Sequence, residues 1–237
     1  MTITIITASL NNITNLKLLA ESLILQHDQN FDWIVFSGNS NDGTFEFINS
    51  LNKKNFRAVK GDDFGIYDAL NKALFYCTTE YYVVAGADDI FNPMATSIFN
   101  SISKDSLYDI YTLNVMYNNR LIKPVKLPSF LAGQFSFITM HSVGTLIRKS
   151  MHDIYGMYSK SFPIAADQFF ILSCVNNGAS LKYIPHVVGI HGPSGVSFHD
   201  SLGVITEFFR VQVSVGYNKR LQILFVILRL FKCLFRK

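Results

Sequence analysis

Two adjacent carboxylates, Asp88 and Asp89, close an apolar run that begins at Tyr81. Residues 81–85 are aromatic, β-branched or small and carry no charge, the pattern of a buried strand. Gly86 and Ala87 leave room for another group to approach the backbone. Two acids at the end of such a strand repel each other unless a cation or hydrogen-bond donors stand between them. They could cap a following helix. Ligands of open α/β sheets, however, bind beyond the carboxyl ends of the strands, and that placement favours a metal. Oxygen ligands of this kind suit Mg²⁺ or Mn²⁺ shared with a substrate phosphate.

Other polar groupings surround this one in the sequence. Residues 37–44, Ser-Gly-Asn-Ser-Asn-Asp-Gly-Thr, are a dense turn cluster. Asp62-Asp63-Phe64-Gly65 leads into a helical pattern in which Asp68, Asn71 and Lys72 share one face at i, i+3 and i+4. Asp167 stands at a loop-to-helix junction, where a single Asp most often caps the helix. His141 and His191 are isolated, and an isolated His is more often structural than a ligand.

These residues need elements to bring them together. Residues 2–8, 31–36, 56–59 and 81–85 read as strands. Between them lie helices marked by Leu16, Leu19, Leu23 and Ile24, by Phe45, Ile48 and Leu51, and by residues 66–74. The alternation predicts an α/β fold, a mostly parallel central sheet with helices on both faces. The clusters at 9–12, 37–44 and 88–89 all follow strands and should meet at one edge of the sheet. Further on, the pattern predicts a helix near 94–102, a strand at 109–116 and a hairpin return at 121–125. A helix or loop at 130–139 would lie over the site. A strand within 140–149, a helix at 168–176, extended segments at 181–184 and 187–190, and two closing helices complete the chain. We expect one domain over residues 1–205, with halves 1–92 and 93–205, and a C-terminal appendage over 206–237.

At 237 residues, 49% hydrophobic and 16% charged, the chain can bury a sizeable core. A net charge of +4 is too small to argue for nucleic acid, and the basic residues Lys219, Arg220, Arg229, Lys232, Arg236 and Lys237 crowd the C-terminus. Cys77, Cys174 and Cys233 have neither zinc spacing nor a disulfide framework, which suits a reducing cytosol. The first residues lack the basic and apolar regions of a signal peptide. The apolar run at 223–228 is far below the ~20 residues that span a bilayer. With its basic punctuation, the segment 221–235 fits a tilted interfacial helix on anionic lipid, with snorkelling cations. A helix packed on the domain or in a dimer interface is the alternative.

Strand-Thr-Ala-Ser, Gly-Asn-Ser-Asn-Asp-Gly-Thr, Asp-x-Gly-Ile-Tyr-Asp-Ala-Leu-Asn-Lys-Ala and Gly-Ala-Asp-Asp, in this order, resemble the family-two glycosyltransferases of the GT-A fold. The likeness is nearest to bacterial enzymes of exopolysaccharide, O-antigen or capsule assembly and covers about residues 1–200. It implies that Thr7, Ala8, Ser9, Ser37, Asn39 and Asp42 hold the nucleotide of a sugar donor, with Asp63 near the base or ribose. It implies that Asp68, Asn71, Lys72 and Asp88 reach the diphosphate or sugar, and that Asp88, Asp89 and His191 hold Mg²⁺ or Mn²⁺. Asp167 becomes the base of an inverting transfer, and His141 lines the acceptor pocket. Residues 191–197 resemble a loop that closes over the diphosphate. Two departures stand out: Ser37 and Gly38 occupy the place where many members carry a base-reading acid, and Gly86 replaces the first acid of Asp-x-Asp.

The resemblance thus implies transfer from a nucleoside-diphosphate sugar, a UDP-sugar first, to a lipid-linked oligosaccharide on the cytoplasmic face of the bacterial inner membrane. A sugar-phosphate nucleotidyltransferase is one rival, although Ser9-Leu10-Asn11-Asn12 lacks its Gly-rich basic loop. A catalytically inactive binding module attached to a membrane is another.

Overall fold

The computed structural model describes residues 3–193 and 200–235. The first half alternates as the sequence pattern requires: β1 (Ile3–Ala8), α1 (Ile13–Ile24), β2 (Phe31–Phe36), α2 (Thr44–Ser50), β3 (Phe56–Val59), α3 (Ile66–Phe75) and β4 (Tyr81–Val84). These strands lie parallel in the order β3-β2-β1-β4, so the ends of β1, β2 and β4 point the same way. Alternate residues on each strand feed two cores. Ile3, Ile5, Trp33 and Val35 face Leu16, Leu19 and Leu23 of α1, whereas Ile6, Ile34 and Phe36 face Leu70, Ala73 and Leu74 of α3. Burial on both faces explains why these strands read as continuous apolar runs.

The second half contains β5 (Ile90–Phe91), α4 (Ala95–Ser103), β6 (Ile110–Tyr117), β7 (Arg120–Ile122), α5 (Ser129–Ala132) with a 3₁₀ turn at Gly133–Ser136, β8 (Thr145–Arg148), α6 (Met151–Tyr155), α7 (Ala166–Asn176) and β9 (Leu181–Ile190). The sheet continues β4-β8-β6-β9-β5, with β7 paired to β6. Here the structure corrects the expectation of a mostly parallel sheet. Strand β8 is antiparallel to β4, β6 to β8 and β5 to β9; only β6 and β9 run parallel. Local periodicity reports that a strand is buried but says nothing of its neighbour's direction. The two extended segments expected at 181–184 and 187–190 form one strand. Pro185 lacks an N–H for the ladder, and it falls where the register against β6 slips between Ile184 and Val187.

Two helices follow, α8 (Ser201–Ser214) and α9 (Lys219–Leu234). Asp200 caps α8 by accepting from the Gly203 N–H, and Asn218 caps α9 by accepting from the N–H groups of Arg220 and Leu221. The polarity of α9 is inverted. Its buried Gln222 donates to the Phe130 carbonyl, and Arg229 donates to the Leu131 carbonyl with its guanidinium over Phe208. Leu224, Ile227, Leu228, Phe231 and Leu234 face outward and are exposed. No described helix is long and apolar enough to cross a membrane.

Candidate active site

A cavity of about 570 Å³ opens where β1 and β4 end. From the first half, Ala8, Ser9, Asp63 and Asp88 line it; from the second, His141, Asp167 and His191. The halves meet because Val84, the last residue of β4, forms a bridge with Ser142, and the Val143 N–H donates to the Val84 carbonyl. This sets His141 and Ser142 beside the loop that carries Asp88. The Ser9 hydroxyl is buried without a hydrogen-bond partner among the described residues, a polar atom that a bound ligand would satisfy.

The paired acids divide their work. Asp89 is fully buried and its oxygens are taken: Oδ2 accepts from the Gly86 N–H at 2.6 Å, and Oδ1 from the Gly192 N–H at 2.8 Å. Nδ1 of His191 lies 3.1 Å from the same Oδ1 and 3.0 Å from the Ser142 hydroxyl. Burial disfavours the His191 imidazolium, but the Asp89 hydrogen bond and charge outweigh it and raise its pKa. The donors expected between the acids are therefore backbone N–H groups and an imidazole. Of the residues expected to hold metal, Asp89 and His191 brace each other, and Asp88 is the carboxylate on the cavity wall. Neither acid caps a helix, because β5 comes next and α4 begins only at Ala95. Gly192 has a steric reason: a Cβ there would strike the Asp88 carboxylate. Among described residues no three His, Cys, Asp or Glu side chains gather as a metal cluster. A single carboxylate on an open wall fits Mg²⁺ or Mn²⁺ completed by diphosphate oxygens and waters. Residues 194–197 of the expected closing loop lie outside the described residues.

Asp167 sits in the first turn of α7, but the residue at the helix cap is Ala165 and no side chain caps it. Both carboxylate oxygens are oriented instead. Oδ1 lies 2.7 Å from the Tyr67 hydroxyl, which also lies 2.9 Å from the Ile164 carbonyl; Oδ2 accepts from Nε2 of Gln134 at 2.8 Å. Each oxygen keeps a further lone pair. Burial and then the Asp167 charge push the Tyr67 pKa well up, so this hydroxyl stays a donor. The chain entering α7 is held from another helix: the buried Glu207 of α8 accepts from the N–H groups of Ile164 and Ala165, each at 2.9 Å. The boundary expected at residue 205 thus falls inside a helix that shapes the site, and Val204 and Phe208 also line the cavity.

Several expected donor-side residues perform structural tasks. Thr7 accepts from the indole N–H of the fully buried Trp33. Ser37 is buried and donates to the Val59 carbonyl. Asn39 donates to Asp62. Asp42 accepts from the N–H groups of Ile13 and Thr44 and so joins the starts of α1 and α2. Asn71 clasps the backbone of Tyr158 from both sides, as donor at 2.8 Å and acceptor at 3.0 Å. Asp68 pairs with Lys72 and Lys160 and accepts from the Phe64 N–H; Lys72 also donates to the Asp62 carbonyl. None of these seven borders the cavity. They fold the loops that do. Tyr67, Gln134, Ser142, Glu207 and Phe208 escaped the sequence reading. Tyr67 alone had a signal, since it stands inside the Gly-Ile-Tyr-Asp stretch.

The fold is of the GT-A kind. The chain belongs to glycosyl transferase family 2, whose model matches residues 4–160, well over half of its length. Among solved structures it is similar to S. aureus TarS 1–349 in complex with UDP-GlcNAc, at 14% identity and a TM-score of 0.73, over 94% of this chain and 69% of that one. A longer TarS structure matches at 16% identity and a TM-score of 0.71, over 94% of this chain and 41% of that one. It is also similar to the mannosyltransferase PcManGT from Pyrobaculum calidifontis in complex with GDP-Man and Mn²⁺, at 14% identity and a TM-score of 0.66, over 99% of this chain and 75% of that one. No curated protein matches the chain in sequence.

Proposed function

We propose that the chain is an inverting glycosyltransferase that moves a sugar from a nucleoside-diphosphate sugar, a UDP-sugar first, to a hydroxyl of a lipid-linked oligosaccharide. The observation that carries this reading is that Asp88 and Asp167, from opposite halves of the chain, line one cavity. Asp167 takes the proton of the acceptor hydroxyl as its oxygen bonds to the anomeric carbon. The bond from that carbon to the diphosphate oxygen breaks on the opposite face, so the configuration inverts and the nucleoside diphosphate leaves with the electron pair. Tyr67 and Gln134 hold the carboxylate in line for this transfer. Ser9, Asp63 and Ala8 border the space for the donor. A Mg²⁺ or Mn²⁺ ion held by Asp88 would neutralise charge on the departing diphosphate.

The UDP-GlcNAc and GDP-Man seen with the two similar structures support a nucleotide-sugar donor. The outward apolar face of α9, flanked by Lys219, Arg220 and Lys232, supports peripheral attachment to an anionic membrane surface, where a lipid-linked acceptor would lie. In the assembly of a bacterial surface polysaccharide, that surface is the cytoplasmic face of the inner membrane.

The test offers UDP-, GDP-, dTDP- and CMP-sugars with Mn²⁺ and a membrane extract as acceptor source, and measures released nucleotide. Release from one donor, strengthened by the extract, is expected. Release from none by folded protein would overturn the proposal.

A further inference from the structure

A file of four polar rings runs from the cavity wall into the core. Nε2 of His141, a cavity residue, lies 2.7 Å from the Tyr158 hydroxyl. That hydroxyl lies 2.7 Å from the Tyr82 hydroxyl, which lies 2.6 Å from Nε2 of His152. The file ends where Nδ1 of His152 meets the Gly156 carbonyl oxygen at 3.1 Å. All four side chains are buried, and Tyr82 and Tyr158 are almost wholly so.

The carbonyl end gives the file its direction. A carbonyl oxygen only accepts, so Nδ1 of His152 carries the ring proton. Burial pushes the His152 pKa down to about 4, so the ring is neutral and its Nε2 accepts. Tyr82 must then donate to Nε2. Its oxygen takes the Tyr158 proton, and the Tyr158 oxygen takes Nε2–H of His141. The reverse order would set the Nδ1 lone pair of the buried His152 against the Gly156 oxygen, two acceptors 3.1 Å apart with no proton between them. Burial also lowers the His141 pKa, against a smaller opposing pull from Asp167. With its one proton on Nε2, His141 keeps a lone pair on Nδ1, and no described residue bonds that atom.

We propose that this file locks His141 in the Nε2–H tautomer, so that Nδ1 accepts a hydrogen bond from a sugar hydroxyl held in the cavity with Asp167. Tyr158, Tyr82 and His152 are positioning residues. The lock follows from the protein alone; the sugar hydroxyl rests on the glycosyl-transfer reading. An acceptor at this point selects a hydroxyl over a carbonyl or phosphate oxygen, which would meet it lone pair to lone pair. Such discrimination lies beyond a merely apolar wall.

Long-range ¹H–¹⁵N correlation spectra of the histidine rings of the full chain, without ligand near pH 7.5, test the lock, with His141→Gln identifying the signal. Wild type should show His141 protonated at Nε2 and His152 at Nδ1. His141 protonated at Nδ1 in wild type would overturn the proposal, whether or not the protein transfers sugar. In Tyr82→Phe the Tyr158 hydroxyl loses its acceptor and can turn to donate to His141, whose Nδ1–H form should appear; an unchanged tautomer in the folded variant would count against the lock. Should Tyr82→Phe fail to fold, the wild-type spectrum decides the lock. Kinetics with UDP-GlcNAc and GDP-Man as donors and membrane extract as acceptor locate the hydroxyl. Tyr82→Phe should raise one KM about tenfold with kcat nearly kept. A rise in donor KM assigns the hydroxyl to the donor sugar, and a rise in extract requirement assigns it to the acceptor. Unchanged KM for both in a variant whose tautomer has shifted would refute the role in binding.

Discussion

At the scale of single residues, the proposed transfer depends on Asp167 and on the groups that aim it. Asp167→Asn should leave donor binding intact and lower transfer about a thousandfold, because the amide takes no proton at neutral pH. The fold should accept the change. Gln134 has a buried Oε1 without a hydrogen-bond partner, and turning its amide would give the new Asn Nδ2 an acceptor. Calorimetric titration of the nucleotide beside a transfer assay checks this, and full activity in Asp167→Asn would remove Asp167 from the mechanism. Glu207 matters through the backbone. Glu207→Ala strips the Ile164 and Ala165 N–H groups of their acceptor, which should cost about 2 kcal/mol in denaturant melts and lower activity as the start of α7 loosens. The sequence displayed Asp167 but not Glu207. A brace supplied from another helix, some forty residues away in the chain, leaves no local pattern to read.

At the scale of elements, the first turn of α3 and the outer face of α9 carry separable predictions. Asp68 is held down to about 2, first by Lys72, then by Lys160 and the Phe64 N–H, against the cost of its burial. A carboxylate with a depressed folded-state pKa adds stability above its unfolded value near 3.8, and that share is lost as pH falls through the folded value. The stability gap between wild type and Asp68→Asn should therefore close between pH 4 and pH 2, as followed by urea melts. A gap that stays constant would mean that the Asp68 pairs contribute nothing. For α9, co-sedimentation with phosphatidylglycerol-rich vesicles should recover the protein and weaken in salt. Serine at Leu224, Leu228 and Phe231 together should abolish it, since these side chains are exposed. Protein that ignores vesicles but elutes as a dimer would give this face to a second copy. The mixture of apolar and basic residues along α9 was legible in the sequence, yet which of them face the domain was not. Gln222 and Arg229 turn inward because the carbonyls of Phe130 and Leu131 await donors there.

At the scale of the whole molecule, the alternating half was readable because each strand and helix there buries a periodic face. Strands β1 to β4 and their helices stand where the periodicity set them. The half that completes the cavity was readable only as pieces. The antiparallel insertion of β8 and β6 depends on contacts far apart in the chain. The same limit governs the site: the place of Asp88 at the end of an apolar run and the family resemblance around Asp167 singled these two out, but whether a neighbouring polar residue faces ligand or backbone is decided in three dimensions. Asp89, Asp42 and Asn71 have the chemistry of ligand-binding groups and face backbone donors or acceptors. What unites the halves is one cavity that should take a nucleoside diphosphate on the Asp88 side and an acceptor on the Asp167 side. The most direct measurement is the melting temperature of the protein with UDP, GDP, dTDP or CMP, each with Mn²⁺ and with EDTA, repeated in Asp88→Asn. One diphosphate should raise the melting temperature only with Mn²⁺, because a ligand that binds the folded state stabilises it, and the rise should vanish in Asp88→Asn. A folded protein whose melting temperature none of these nucleotides moves would contradict the account.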